Sequence, residues 1–301
     1  MARLAFAAIA LSATTVQAAI PPQQRQYLLD FYTATNGAVW TNNTNWNGPP
    51  GTECTWFGIS CDAGQNTVIR LNLPNNRLLG TIPPNWSVLP DLNIIGLSEN
   101  SLSGGVPSIA SLTALTIFDV EKNGLSGALP SPANLGVLAR YYANNNQFSG
   151  PIPALTGLPA LQDFRVHDNQ LTGAVPALNN APLLETLAFH NNSLTGSLPV
   201  LPAGLRQLVA RNNQLSGALP AAPASLTAGL SSLCPGNSFT QAPSAPWDTA
   251  TGNSPWYTGC AAVLPPAGGT AAIPTLSEWA LILMSLLAAA MGLRALRRAD
   301  A

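Results

Sequence analysis

Apolar and polar residues alternate over short stretches that return at a nearly constant interval between residues 70 and 215. The pairs Leu71/Leu73, Phe164/Val166 and Leu187/Phe189 each enclose one polar residue, and each pair stands just ahead of an asparagine. Alternation with a period of two predicts a short strand with one buried face. The asparagines are Asn76, Asn100, Asn123, Asn146, Asn169, Asn192 and Asn213, spaced by 24, 23, 23, 23, 23 and 21 residues. Strands recurring in one direction at this period predict a coil in which they stack as a parallel sheet. At about 4.8 Å per strand, seven rungs make a ladder of about 30 Å. No single coil can bury its own apolar face, so stability is a sum over neighbours and both ends need caps.

The segment after each asparagine is equally regular: Leu or Phe, then Ser/Thr-Gly, then an apolar residue and Pro. Leu171-Thr172-Gly173-Ala174-Val175-Pro176 and Leu194-Thr195-Gly196-Ser197-Leu198-Pro199 are two copies. Gly permits a tight backbone turn, and Pro starts the return path. Leu112, Leu135 and Leu158 on that path are expected to fill the convex side. The asparagine amide carries donors and an acceptor, so an inward Asn can satisfy backbone groups of the turn on adjacent coils. The last coils are shorter, with Pro202-Ala203-Gly204-Leu205 in place of a fuller segment, and a weaker half-turn ends at Asn237 with Phe239 behind it.

Composition narrows the partners. Charged residues make up 8% of the chain and the net charge is −1, with Lys122 the single lysine, so no basic face suits nucleic acid. Arg3, the apolar run Leu4 to Ala13 and Val16-Gln17-Ala18 read as a secretory signal cleaved before Ala19. In an exported chain the four cysteines imply two disulfides; of three possible pairings, proximity favours Cys54–Cys61 and Cys234–Cys260. Pro265-Pro266-Ala267-Gly268-Gly269 reads as a linker, followed by an apolar run from Trp279 and by Arg294, Arg297 and Arg298. Residues 279–296 are expected to span a membrane with the arginines on the cytoplasmic side.

The L-x-x-L-x-L-x-x-N-x-L-[ST]-G-x-[IVL]-P pattern resembles the plant-type leucine-rich repeat, whose members include receptor ectodomains and inhibitors of wall-degrading polygalacturonases. Tyr27-Leu28-Leu29-Asp30-Phe31-Tyr32, Trp40, Trp46 and Cys54-Thr55-Trp56-Phe57-Gly58-Ile59-Ser60-Cys61 resemble that family's N-terminal cap. The resemblance implies an α/β solenoid: a right-handed superhelix with a parallel sheet on its concave face and disulfide-capped ends. The tail, with Ile273, Pro274, Thr275, Leu276 and Trp279 ahead of the apolar run and arginines, resembles the IPTL-type C-terminal sorting domain of Gram-negative bacteria. Ala280 stands where that family usually has Gly. A membrane sorting peptidase is the partner this resemblance implies, with export through the inner membrane and either anchoring at the envelope or release after processing. The expected organisation is a signal peptide at 1–18, an N-terminal cap at 19–67 and repeats at 68–231. A C-terminal cap at 232–262, a linker at 263–272 and the sorting tail at 273–301 complete it.

Strand positions facing the concave side hold the candidate chemistry. The middle rungs carry Asp119, Glu121, Arg140, Tyr142, Asp163, Arg165, His167 and His190, with Arg211 one coil further on. Tyr and Arg dominate interface hot spots, so Tyr142 between Arg140 and Arg165 marks this face as a recognition surface for a protein or polysaccharide. Catalysis is not expected. The serines lie mostly in the Ser-Gly turns away from the histidines, and Asp119 and Glu121 share one flat strand without flanking a cleft. His167 and His190 on adjacent rungs with Asp168 nearby raise the question of a metal, but two imidazoles on an open face make a weak site, and neither metal nor cofactor is expected. A structural role without a specific ligand, and inhibition of wall-degrading enzymes, are the competing functional readings. Trp247, Trp256 and Tyr257 in the C-terminal cap suggest a carbohydrate-binding loop as a further alternative.

Overall fold

The computed structural model describes residues 19–260, which lie within one compact unit. The backbone winds through about eight coils, and seven of them contribute one strand to each of two sheets. The front sheet is built from Ile59–Cys61, Val68–Asn72, Ile94–Gly96, Ile117–Asp119, Arg140–Tyr142, Asp163–Arg165, Thr186–Ala188 and Gln207–Val209. Only the first pairing is antiparallel; all later ones are parallel and in register, so that Asp119, Tyr142, Arg165, Ala188 and Val209 form one row across the coils. The residue at the centre of each front strand points inward. Phe118, Tyr141 and Phe164 therefore stack in the core with ring centroids 4.9 and 5.0 Å apart. Leu112, Leu135 and Leu158 are fully buried on the return path, as the pattern predicts.

The second sheet departs from expectation. The Leu-Ser/Thr-Gly segments that read as tight turns are themselves strands, from Leu79–Thr81 through Ser101–Gly104, Gln147–Pro151 and Gln170–Ala174 to Ser238–Phe239, forming an eight-stranded flank sheet. Leu102, Leu125, Phe148, Leu171, Leu194 and Leu215 point inward from it, leaving Ser103, Ser149, Thr172, Thr195 and Ser216 exposed. Two-residue alternation around a single apolar residue is too short to distinguish from a turn in the sequence. Gly closes these strands: Gly104, Gly127, Gly150, Gly173, Gly196 and Gly217 all have φ between 74° and 83°, where a Cβ is unfavourable.

The asparagines bind the coils together. Asn123 accepts a hydrogen bond from the Leu102 amide at 3.0 Å and donates to the carbonyls of Leu97, Val120 and Glu121. Asn146, Asn169, Asn192 and Asn213 repeat this set one coil further on each time. Asn237 bonds Leu215 N and Ala210 O, so the weaker half-turn is a full rung of the ladder. The residue before each of the eight ladder asparagines has positive φ, including Glu99, Lys122 and Asp168. That turn aims the following amide inward.

Both ends are covered. Helix α1 (Pro22–Ala34) is longer than the amphipathic stretch read from the sequence, because Pro22 begins the helix and Gln24 turns inward. The Gln24 amide accepts from Val68 N at 2.8 Å and donates to Thr67, a polar contact that masks the apolar period. Trp40, Trp46 and Trp56 pack in a chain of ring contacts below it, and Cys54 is bonded to Cys61. Arg25 pairs with the buried Glu53, whose carboxylate also receives Gly51 N. At the other end Cys234 is bonded to Cys260, and helix α2 (Ala245–Thr251) lies between them. Pro near its start and Gly252 with φ 70° after its end are the signals that mark it. Trp247 and Trp256 are 2% exposed and donate to Pro220 O and Ala242 O. That burial corrects the reading of these tryptophans as a carbohydrate platform.

The expectation of a transmembrane chain is also corrected: no helix among the described residues is long and apolar enough to cross a membrane. Residues 1–18, the linker and residues 273–301, including 279–296, lie outside the described residues.

Gly150 has φ 78° with nothing near its Cβ position, whereas Gly136 has open space and no positive φ. Gly150→Ala should cost about 1–2 kcal/mol through backbone strain alone. Gly136→Ala should be neutral or stabilising by about 0.4–1 kcal/mol, as chemical denaturation of the two variants would show.

Candidate functional site

The parallel register delivers the expected residues to one face in two groups. The first group centres on Asp163. Arg165 donates to its carboxylate from Nε at 2.8 Å and from Nη2 at 2.7 Å, and the Tyr142 hydroxyl donates to Oδ2 at 2.9 Å. The Arg165 guanidinium lies 5.1 Å from the centre of the Tyr142 ring. Arg140 is the register partner of Asp163 on the preceding coil and is exposed. Burial pushes the Tyr142 hydroxyl up to about 12, helped by the Asp163 carboxylate that accepts its hydrogen bond. Tyr142 is thus a neutral hydrogen-bond donor at any physiological pH. On the next column Glu121 accepts from Asn144 Nδ2 at 3.0 Å, and Asp119 receives Glu121 N at 3.2 Å. Burial raises the Asp119 carboxyl above its ordinary range.

The second group is made by His167, Asp168 and His190. The two imidazoles occupy equivalent positions on adjacent coils and stack with centroids 4.3 Å apart and planes 13° from parallel. Asp168 Oδ2 lies 2.6 Å from His167 Nδ1 and 3.8 Å from His190 Nε2. Its other oxygen is held by Asn191 Nδ2, and Asn191 in turn accepts from Asn212 Nδ2 at 2.7 Å. Burial of Asp168 raises its pKa, but the Asn191 and His167 hydrogen bonds and the facing imidazoles outweigh that and lower it overall. Burial, with the His167 ring and the Arg211 cation beside it, pulls His190 down to about 4. Arg211 belongs to this column and is partly exposed.

Asparagines that precede ladder residues also belong to the candidate site, and the sequence alone does not single them out. Asn191 and Asn212 sit in the same left-handed turn as Asp168, one and two coils on. Their chain Asn212–Asn191–Asp168 fixes the carboxylate, and the signal for it is the polar residue immediately before each recurring Asn. A groove of about 270 Å³ beside the C-terminal cap is lined by Leu219, Pro220, Pro243 and the edges of Trp247 and Trp256. It brings no titratable groups together.

A capped leucine-rich-repeat solenoid with a pre-bonded polar face is the class these features define. Residues 21–62 match the leucine rich repeat N-terminal domain, residues 67–89 match the Leucine Rich Repeat, and residues 271–298 match the IPTL-CTERM motif. The chain therefore combines a leucine-rich-repeat cap and repeat with a C-terminal sorting motif. An inactive leucine-rich repeat receptor-like serine/threonine-protein kinase of Arabidopsis thaliana is 40% identical over 84 residues, 28% of this chain and 13% of the relative. Receptor-like protein 35 of Arabidopsis thaliana is 32% identical over 104 residues, 29% of this chain and 11% of the relative. The chain thus spans only a small part of the curated relatives it matches. The crystal structure of a TDR receptor is similar with a TM-score of 0.52 and 27% identity, over 60% of this chain and 32% of that one. The matched families are repeat modules rather than enzymes.

With a folded pKa near 4 against an ordinary value of 6.5, folding disfavours protonation of His190. Between these values the unfolded chain binds more protons, so stability is complete above about pH 6.5 and declines as pH falls towards 4. In an NMR titration the His190 imidazole should stay neutral through pH 5.5, while an ordinary histidine is mostly protonated there.

Proposed function

We propose that this chain is an exported recognition module that binds a protein or polysaccharide partner through its front sheet, over the coils from Asp119 to Arg211. One observation carries the reading: Tyr142, Asp163 and Arg165 are already locked together by hydrogen bonds before any partner arrives. Side chains fixed in advance lose little freedom on binding, so their contacts convert to affinity with a small ordering cost. A protein or peptide is the favoured partner, because the face mixes both signs of charge around an aromatic and the curated relatives carry receptor-like names.

The remaining residues fit this role. Glu121, Asp119 and Arg140 surround the core of the patch with polar rim groups, and the recognition reading needs no catalytic group. The IPTL-CTERM match at 271–298 supports delivery to a bacterial envelope by way of a processing peptidase that reads Ile273, Pro274, Thr275, Leu276 and Trp279. The proposed order along the chain is a leader, a cap, the repeats, a second cap, a linker and this tail.

Selection of binders from peptide and glycan libraries on the wild-type protein provides the test. The Tyr142→Ala/Arg165→Ala double variant should weaken a selected binder by about tenfold or more, in keeping with loss of a hot spot. Its stability should change by less than about 1 kcal/mol, because the pair it removes is partly exposed. Binders indifferent to the double variant would remove this face from the proposal.

A further inference from the structure

Within the face proposed for recognition, but apart from Tyr142, Asp163 and Arg165, lies a group with the chemistry of a metal site. We propose that His167, Asp168 and His190 bind one divalent transition metal ion of the zinc class, with the remaining coordination positions open on the front sheet. One ligand atom from each of His167, Asp168 and His190 lies within 4.8 Å of the other two. Tetrahedral zinc bonds its ligands at about 2.0–2.1 Å, which puts ligand atoms about 3.3 Å apart. The present separations of 2.6 Å and 3.8 Å from Oδ2 bracket that value. Small side-chain rotations, one opening and one closing, therefore bring the three atoms around a common centre.

Three further features favour an ion over a simple hydrogen-bonded cluster. The first is the state of the histidines, whose rings lie face to face with the Asp168 carboxylate at their edge. Parallel stacking at 4.3 Å disfavours protonating both rings, and neutral imidazole is the form that ligates metals. Second, Asp168 is oriented from behind. Asn191 holds the oxygen that does not face the histidines, and Asn212 holds Asn191. Such outer partners position ligating carboxylates in metal sites. Third, the scaffold is stiff: the turn that places Asp168 has φ 54° and is tied to the ladder through Asn169.

The donor set also defines which ion. Two imidazoles and one carboxylate suit zinc, copper or nickel and are poor for magnesium or calcium, which prefer all-oxygen shells. On binding, the proton on His167 Nδ1 moves to Nε2, freeing the Nδ1 lone pair; Asp168 and His190 already present lone pairs. The Arg211 cation near His190 opposes a second positive charge. Three ligands with that neighbour imply weaker binding than at closed four-ligand structural zinc sites.

Isothermal titration of the full chain with zinc chloride tests this, with magnesium chloride as the control. One zinc per chain is expected, with no heat from magnesium. His167→Ala, His190→Ala and Asp168→Asn should each weaken binding about tenfold or more. Asn tolerates the left-handed backbone at 168, so that variant keeps the turn. Imidazole NMR of the wild-type protein needs no variant: zinc should shift the His167 and His190 ring signals and leave the fold unchanged. No saturable binding at millimolar zinc, ring signals unmoved by zinc, or equal binding by all three variants would overturn the site. A zinc site that survives Tyr142→Ala/Arg165→Ala stands even where the recognition patch fails.

Discussion

An amide side chain bridging two neighbouring coils is the interaction on which the rest of this protein depends. A solenoid coil has no sheet partner within itself, and its turns carry backbone groups that water cannot reach. Each recurring asparagine answers both problems at once. Its oxygen receives an amide from the preceding coil, and its nitrogen serves carbonyls of its own coil and of that same neighbour. Removing such a group would leave several buried polar atoms unpaired, and each costs about 1–3 kcal/mol. The spacing of the asparagines therefore dictates the spacing of the coils. The register of the front sheet follows from it, as does the alignment of the side chains that sheet displays.

That dependence explains why the fold is legible in the sequence. The strands, the inward aromatics and the return-path leucines are dictated by position relative to Asn, so counting from Asn146 or Asn169 places Tyr142 and Arg165 in one row without any structure. Elements whose shape is set by other forces are less readable. The flank sheet hides in a motif that looks like a turn because most of its strands have a single buried residue and carry a positive-φ glycine at or next to their end. Helix α1 is underestimated because Gln24 faces inward to satisfy Val68 N, against the usual rule that polar positions face out. Burial of Trp247 and Trp256 depends on how the C-terminal cap closes over the last coil, which no local pattern encodes.

The candidate site divides in the same way. Membership of the front face follows from the repeat, and so does the pairing of His167 with His190 on adjacent coils. What the repeat does not announce is the internal wiring. Tyr142 and Arg165 are not separate exposed groups: both are bound to Asp163. Asp168 is drawn between the histidines by a turn whose left-handed backbone belongs to the ladder itself. The residue before each asparagine thus carries information of its own, because it occupies a fixed, partly exposed station on every coil. Asn191 and Asn212 there build a line of hydrogen bonds that runs along the solenoid rather than around it.

If the asparagine ladder governs the coils, it governs their opening as well. Amide hydrogen exchange of the wild-type protein and of Asn169→Ala addresses this directly. The Phe148 amide, which donates to Asn169 Oδ1 at 2.9 Å, should be among the slowly exchanging amides of the wild-type chain. In the variant its protection should collapse together with that of the adjoining strands, while the amides of helix α1 stay slow. A Phe148 amide that exchanges as fast as a surface loop, or one whose protection is the same in both proteins, would contradict the account.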